Sequence, residues 1–230
     1  MVAATLEAIP RLVRVGLLFA TILAGYAGGA VLKLRGRDIL GESAWILAAT
    51  AFGASLALIG QMYHISGDER QAVFVWCAGT AFAAAALRSG PLTVGAVLLG
   101  AAWMLMHAVA DLWSGRAVPM AFLAVAAALY ALSFWTGSRA ARHLVLLSVY
   151  LFVLLTNWND GGYNAPLLLV AFSVALFAFG QFRPEEAERF AGLGAGLPVQ
   201  ALTGFLTGIG ILQVSLIEEQ PFLLVSIVAF

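Results

Sequence analysis

Charge is scarce in this chain. Asp, Glu, Lys and Arg make up only 10% of the 230 residues, whereas ordinary soluble domains carry about 25%. Hydrophobic residues reach 62%, so a water-soluble fold could not find enough polar surface to cover itself. The few charges also cancel, twelve basic against twelve acidic, which leaves no basic face for nucleic acid and no acidic tail. Cysteine is nearly absent. Cys77 stands alone, which excludes an intrachain disulfide and argues against a thiolate metal cluster. Within "FVWCAGT" it reads as a small core residue rather than a reactive thiol. Also missing are a phosphate-binding glycine motif, H-E-x-x-H, G-x-S-x-G and a paired intramembrane Asp, so no cofactor is implied and no enzyme class is favoured.

What is present is long apolar runs. A helix needs about 20 residues to cross the hydrocarbon, and eight runs approach or exceed that: Leu12–Leu32, Ser43–Tyr63, Gln71–Leu87, Pro91–Ala110, Val118–Trp135, His143–Asn157, Ala165–Phe182 and Gly192–Leu216. The sixth is the shortest and the least sharply bounded. A ninth run, Pro221–Phe230, is too short to cross and reads as a truncated helix. The runs are too uniformly apolar for outer-membrane strands, which alternate. The predicted fold is therefore all-α, a polytopic transmembrane bundle of about eight spanning helices plus a truncated ninth, forming a single integral-membrane domain over residues 1–230. Arg11 and Arg14 before "VGLLFATILAGYAGGA" imitate a signal peptide, but the run continues without a cleavage site and reads as a retained helix.

Lys and Arg in the connections set the expected orientation. With the first helix running outside to inside, the inner side holds Lys33, Arg35, Arg37, Arg88, Arg139, Arg142, Arg183 and Arg189. Arg11, Arg14, Arg70 and Arg116 fall outside. The longest inner connection, "QFRPEEAERFAG", reads as a charged helix with a solvated face. Small residues recur at helix-packing spacing in Gly25/Gly29, Ala49/Gly53, Gly79/Ala83 and Gly204/Gly208, which allows close backbone approach. Trp113, Trp158, Tyr163 and Trp135 suit interfacial belts. Pro198 is positioned to kink the eighth span.

No Asp, Glu, Lys or Arg falls in the middle of a run, and such residues commonly mark ion relays. Polar residues gather instead at "IGQMYHISGDER", Ile59–Arg70. Much of it has a turn explanation: Gly67 closes one helix, Asp68 caps the next, and Gln71 completes a capping box. Gln61 and His64 are left over. "MHAVADLW" repeats the spacing, since His107 and Asp111 stand four apart, as His64 and Asp68 do, and share a helical face. Two histidines and two carboxylates at similar depth could hold a divalent cation or pass protons; the alternative is local hydrogen bonding at the interface. No metal is assigned. "TNWNDGGYN" is a turn between spans first, and Asp68, Glu69, Asp111, Asp160, Glu218 and Glu219 make the outer face acidic.

The run from "IPRLVRVGLLFATILAGYAGG" through "LGESAWILAATAFGASLALIGQMYHISGD" to "AAWMLMHAVADLW" resembles a family of predicted bacterial inner-membrane proteins, the domain-of-unknown-function family numbered 2157. Its most specific piece is Gly60–Asp68, "GQMYHISGD", with Met62 where isoleucine is commoner in the family. The resemblance implies a multi-pass protein of the bacterial inner (plasma) membrane with no established activity and no catalytic residues to carry over. It also implies that the chain is short at both ends, because members begin with a further helix. It places Gln61, Tyr63, His64, Ser66, Gly67 and Asp68 in a motif.

Three function classes remain. The first is a non-enzymatic scaffold, subunit or sensor whose outer motif meets a partner. The second is a transporter or channel for a small solute or cation, with His64, His107, Asp68 and Asp111 near its mouth. The third is an intramembrane enzyme using the same cluster. Expected partners are the lipid bilayer and, beyond it, another membrane protein or a second copy of the chain.

Overall fold

A computed structural model describes residues 11–62, 68–111, 120–160, 164–193 and 196–219. The described residues form nine helices: α1 (Arg11–Leu34), α2 (Asp38–Met62), α3 (Glu69–Leu87), α4 (Gly90–Asp111), α5 (Ala121–Trp135), α6 (Arg139–Asp160), α7 (Asn164–Phe182), α8 (Pro184–Ala191) and α9 (Leu197–Glu219). Each of the eight apolar runs carries a helix, and "PEEAERFA" forms the short charged α8. Seven helices (α1–α4, α6, α7 and α9) are long and apolar enough to cross a membrane. The fifth run supplies a 15-residue helix. The sixth run, expected to be the shortest, lies in a 22-residue helix, because Arg139–Arg142 join its first turn instead of preceding it. Pro221–Phe230 lies outside the described residues.

The tight connections follow from backbone chemistry at the ends rich in Lys and Arg. After α1, Gly36 takes a left-handed φ of 73°, and Arg37 N–H reaches back to Leu32 O at 3.0 Å. That six-residue closure satisfies carbonyls the helix end would leave open. The same closure ends α5, where Ser138 N–H bonds Ser133 O at 2.9 Å. It also ends α3, with Ser89 N–H on Ala84 O at 3.1 Å, but here a non-glycine, Arg88, takes the left-handed position at φ 50°. Its guanidinium lies 4.1 Å from the centroid of the Trp135 ring, a cation–π contact that helps to offset the strain. Trp135 in turn donates Nε1–H to Ala85 O at 3.0 Å.

The chain divides into two compact units. Unit 1 comprises Met1–Trp103 with Ala131–Ser138, and unit 2 comprises Met104–Tyr130 with Arg139–Phe230. In unit 1, α1 lies along α2, and α2 also meets α3. Small residues accept indole rings here. A Cβ on Gly29 would sit 2.4 Å from the Trp45 ring and 2.9 Å from Gly41 O, and one on Gly53 would sit 2.2 Å from the Trp76 ring. Each ring's N–H is satisfied across helices, Trp45 on Tyr26 O at 3.0 Å and Trp76 on Ala49 O at 2.8 Å. Cys77 is buried and bonds Ala96 O at 3.3 Å, the core role expected of it. In unit 2, α7 lies along α9, with α6 and α8 beside them. Gly204 and Gly208 form the close-approach face, meeting Ser173 and Tyr150 at one and Val170 at the other.

Large apolar side chains cover the outside of the helices, among them Leu34, Phe82, Leu168 and Phe182. Apolar exposure on that scale suits lipid as the surrounding solvent and is far beyond the patches of soluble monomers.

Candidate functional site

The Gly60–Asp68 motif stands between α2 and α3. Gln61 is exposed in the last turn of α2. Asp68 caps α3 from an extended backbone position, its Oδ1 accepting Arg70 N–H at 3.0 Å. Arg70 Nε–H also points at both carboxylate oxygens, at 2.9 and 3.0 Å. The expected cap is therefore present. The second partner of Asp68 is the Arg70 guanidinium, while Gln71 contributes its backbone N–H to Asp68 O at 3.0 Å. Tyr63, His64, Ser66 and Gly67 lie outside the described residues. His107 is half-buried on α4, which continues unbroken through Asp111, so the expected four-residue spacing does fall on one helix; the Asp111 side chain is outside the described set. Among the described residues, no group of three or more His, Cys, Asp and Glu is placed to hold a metal ion.

Two further polar constellations lie at the Lys- and Arg-bearing ends, one in each unit. In unit 1, Glu42 sits in the second turn of α2 with each oxygen engaged. Its Oε1 meets Lys33 Nζ of α1 at 2.5 Å, and its Oε2 accepts the hydroxyl of Ser89, the residue just before α4. Lys33 Nζ also lies 4.4 Å from the Trp45 ring centroid. Ser89 is fully buried and is itself an α4 cap, accepting Leu92 N–H at 3.3 Å. Thr93 Oγ1 donates to Ser89 O at 2.9 Å and lies 2.9 Å from Thr136 Oγ1. One carboxylate thereby joins α1, α2 and the start of α4. The geometry is that of a lock: acceptor oxygens filled by an ammonium and a hydroxyl, with no lone carboxylate left to act as a base.

In unit 2 the corresponding groups are mostly neutral. Gln200, 5% exposed on α9, places Nε2 at 2.9 Å from His143 Nδ1 and 3.4 Å from His143 O. The Gln200 amide thereby meets both the ring and the backbone of His143. The ring edge faces Gly196, where a Cβ would lie 2.4 Å from His143 Cε1. Tyr150 donates to Gln200 O at 3.0 Å, Tyr130 donates to Ala191 O at 3.0 Å, and Arg142 donates to Gly192 O. These three bonds pin the junction of α8 and α9 to its neighbours. Two buried oxygens of unit 2 find no partner among the described residues: Gln200 Oε1, and Ser173 Oγ beside Gly204.

Gln200 bridges α9 to α6. Sequence reasoning singled out none of Glu42, Ser89 and His143 as bridging residues. The available signal was an ionisable or imidazole residue at the very edge of an apolar run, where a few turns of helix carry it inward.

Residues 1–93 match a family model described as "Predicted membrane protein (DUF2157)". The match takes in α1, α2, α3 and the first residues of α4, together with the Gly60–Asp68 motif and the whole Lys33–Glu42–Ser89 lock. The "AAWMLMHAVADLW" piece of the resemblance lies beyond it. No curated protein and no solved structure matches the chain. Family description and helix content agree on a multi-pass helical membrane protein.

Proposed function

We propose that this multi-pass protein is a non-enzymatic scaffold, subunit or sensor of the bacterial inner (plasma) membrane, presenting the Gly60–Asp68 motif on the outer face to another membrane protein or a second copy of itself. The observation that carries the reading is the use made of the polar side chains the sequence places near its spans. Glu42, Lys33, Ser89, Trp76, Tyr150 and Gln200 each bond a neighbouring helix. Residues committed in this way hold a bundle together, and the reading assigns partner recognition to the Gly60–Asp68 motif. In this orientation Lys33, Arg35, Arg37, Arg88, Arg139, Arg142, Arg183 and Arg189 face the cytoplasm.

A second reading, a transporter or channel for a small solute or cation with His64 and His107 near its outer mouth, draws support from Gln200 Oε1 and Ser173 Oγ. Buried oxygens without partners inside a span are where water or a cation would be held.

One labelling experiment addresses both. Cys77 is buried, so single cysteines introduced at positions 64, 107 and 35 can be read against a quiet background with a membrane-impermeant maleimide. The scaffold reading expects labelling at 64 from outside, no labelling at 35, and His64→Ala that folds normally but loses its co-purifying partner. Unchanged co-purification would sink that reading. Labelling at 107 that is blocked by a permeant monovalent or divalent cation would favour the transporter.

A further inference from the structure

A cleft of about 460 Å³ opens at one end of unit 2, within the ~300–1,000 Å³ range of small-molecule sites. Its apolar lining includes Gly180, Pro184, Leu197 and Pro198, and two charges border it, Arg139 and Glu188. These residues come from helix ends: the first residue of α6, the last turn of α7, the short α8 and the first turn of α9. For helices that cross a bilayer, such ends lie where hydrocarbon gives way to headgroups.

The two charges restrict the occupant. Arg139 and Glu188 form an ion pair at 3.1 Å with both side chains open to solvent, so exchanging partners costs little. An anion entering the cleft would take Arg139 but leave its own charge beside the Glu188 carboxylate. A cation would take Glu188 and face the Arg139 guanidinium. A molecule carrying both charges a few atoms apart replaces the pair and leaves neither group without a counter-charge. The apolar lining next to that pair asks for a ligand with a greasy continuation.

We propose that the cleft seats the headgroup and glycerol region of a zwitterionic aminophospholipid, phosphate on Arg139 and ammonium on Glu188. The phosphate accepts the guanidinium N–H groups, and the primary ammonium donates to the carboxylate. Gly180 and Leu197 shape the floor: a Cβ on Gly180 would lie 2.7 Å from Leu197 Cδ2, so the leucine already fills the notch and the acyl chains continue outward along α7. The proposal rests on α6, α7 and α9 crossing a bilayer and on nothing in the Gly60–Asp68 motif, so it fails or stands separately from the scaffold reading.

The test is native mass spectrometry of the full chain in mild detergent, titrated in turn with phosphatidylethanolamine, phosphatidylglycerol and phosphatidylcholine. Phosphatidylethanolamine should be retained about three- to fivefold more tightly than phosphatidylglycerol, the scale of one exposed ion pair. Phosphatidylcholine, whose quaternary nitrogen has no N–H, should fall between them. Glu188→Gln should erase the preference, weakening phosphatidylethanolamine most and phosphatidylcholine less while leaving phosphatidylglycerol no weaker, and Arg139→Gln should weaken all three lipids. Pro184→Trp, which fills the cleft from its exposed edge while keeping both charged side chains, should lower retention of every lipid and decides the matter should a charge variant fold poorly. Equal retention of the three lipids by the wild-type chain would overturn the proposal, as would a phosphatidylethanolamine preference that survives Glu188→Gln. Displacement of the lipid by an equal concentration of water-soluble phosphoethanolamine would overturn the choice of a lipid.

Discussion

Unit 1 joins its helices with a carboxylate, an ammonium and two indole rings, whereas unit 2 uses an amide, an imidazole, phenols and one guanidinium, Arg142. In the first, both oxygens of Glu42 are taken, one by Lys33 and one by Ser89. In the second, only the NH2 half of Gln200 is taken, and Oε1 stays without a partner among the described residues. Thr80 Oγ1 in unit 1 is likewise unpartnered, so the contrast lies in the central bridging group rather than in every hydroxyl. An ionised group away from water must be fully paired or it is strongly unfavourable; a neutral amide can tolerate being half used. Unit 1 therefore has little tolerance at Glu42, and Gln200 in unit 2 has some room to change partners.

The comparison breaks most readily at the indole notches. Gly53→Val puts branched carbon where a single Cβ already lies 2.2 Å from the Trp76 ring. We expect a loss of about 3 kcal/mol, the upper end of what overpacking costs, seen as a large drop in the thermal midpoint of the purified chain in detergent. Gly16→Ala, with nothing within 4 Å of its Cβ, is the control and should be neutral or slightly stabilising. A Gly53→Val protein as stable as the parent would mean that the Trp76 ring is not held in that notch.

Next in size is Glu42→Ala, which leaves Lys33 without its carboxylate and Ser89 without its acceptor. Because the pair is partly exposed, at 28% and 20%, the loss should be about 1–3 kcal/mol, below that of a fully buried pair. A double-mutant cycle with Ser89→Ala should show coupling, since the two groups share one carboxylate. Additive losses would remove Glu42 as the centre of the lock. The smallest effects belong to unit 2. Tyr150→Phe removes one bond to a backbone carbonyl and should cost about 0.6 kcal/mol, the average for such bonds in membranes. Gln200→Leu should fall within about 1 kcal/mol of the parent, because it deletes an unsatisfied oxygen together with the bond to His143. A loss from Gln200→Leu as large as that from Glu42→Ala would erase the distinction between the units.

Much of the architecture was legible in the sequence because lipid imposes a simple rule: apolar length becomes helix. All eight runs carry helices, "PEEAERFA" became the charged α8, and each small-residue pair proved to be a contact surface. The Asp68 cap was legible too, since capping is local chemistry. The partners were not. Glu42 and Ser89 stand 47 residues apart, and Gln200 and His143 stand 57 apart, so nothing short of the folded backbone identifies them to one another. The sixth helix was underestimated for a related reason. Arg142, only 7% exposed, looked like the charged boundary of a span, yet it donates from Nη1 to Gly192 O and the helix runs straight through it.

The α1–α2 pairing also bears on how the chain enters its membrane. Lys33 and Glu42 flank the Gly36 turn and neutralise one another, while the Trp45 ring fills the notch at Gly29. Two helices so joined can leave the insertion machinery as a preassembled hairpin, presenting the bilayer with one neutral pair in place of two separate charges.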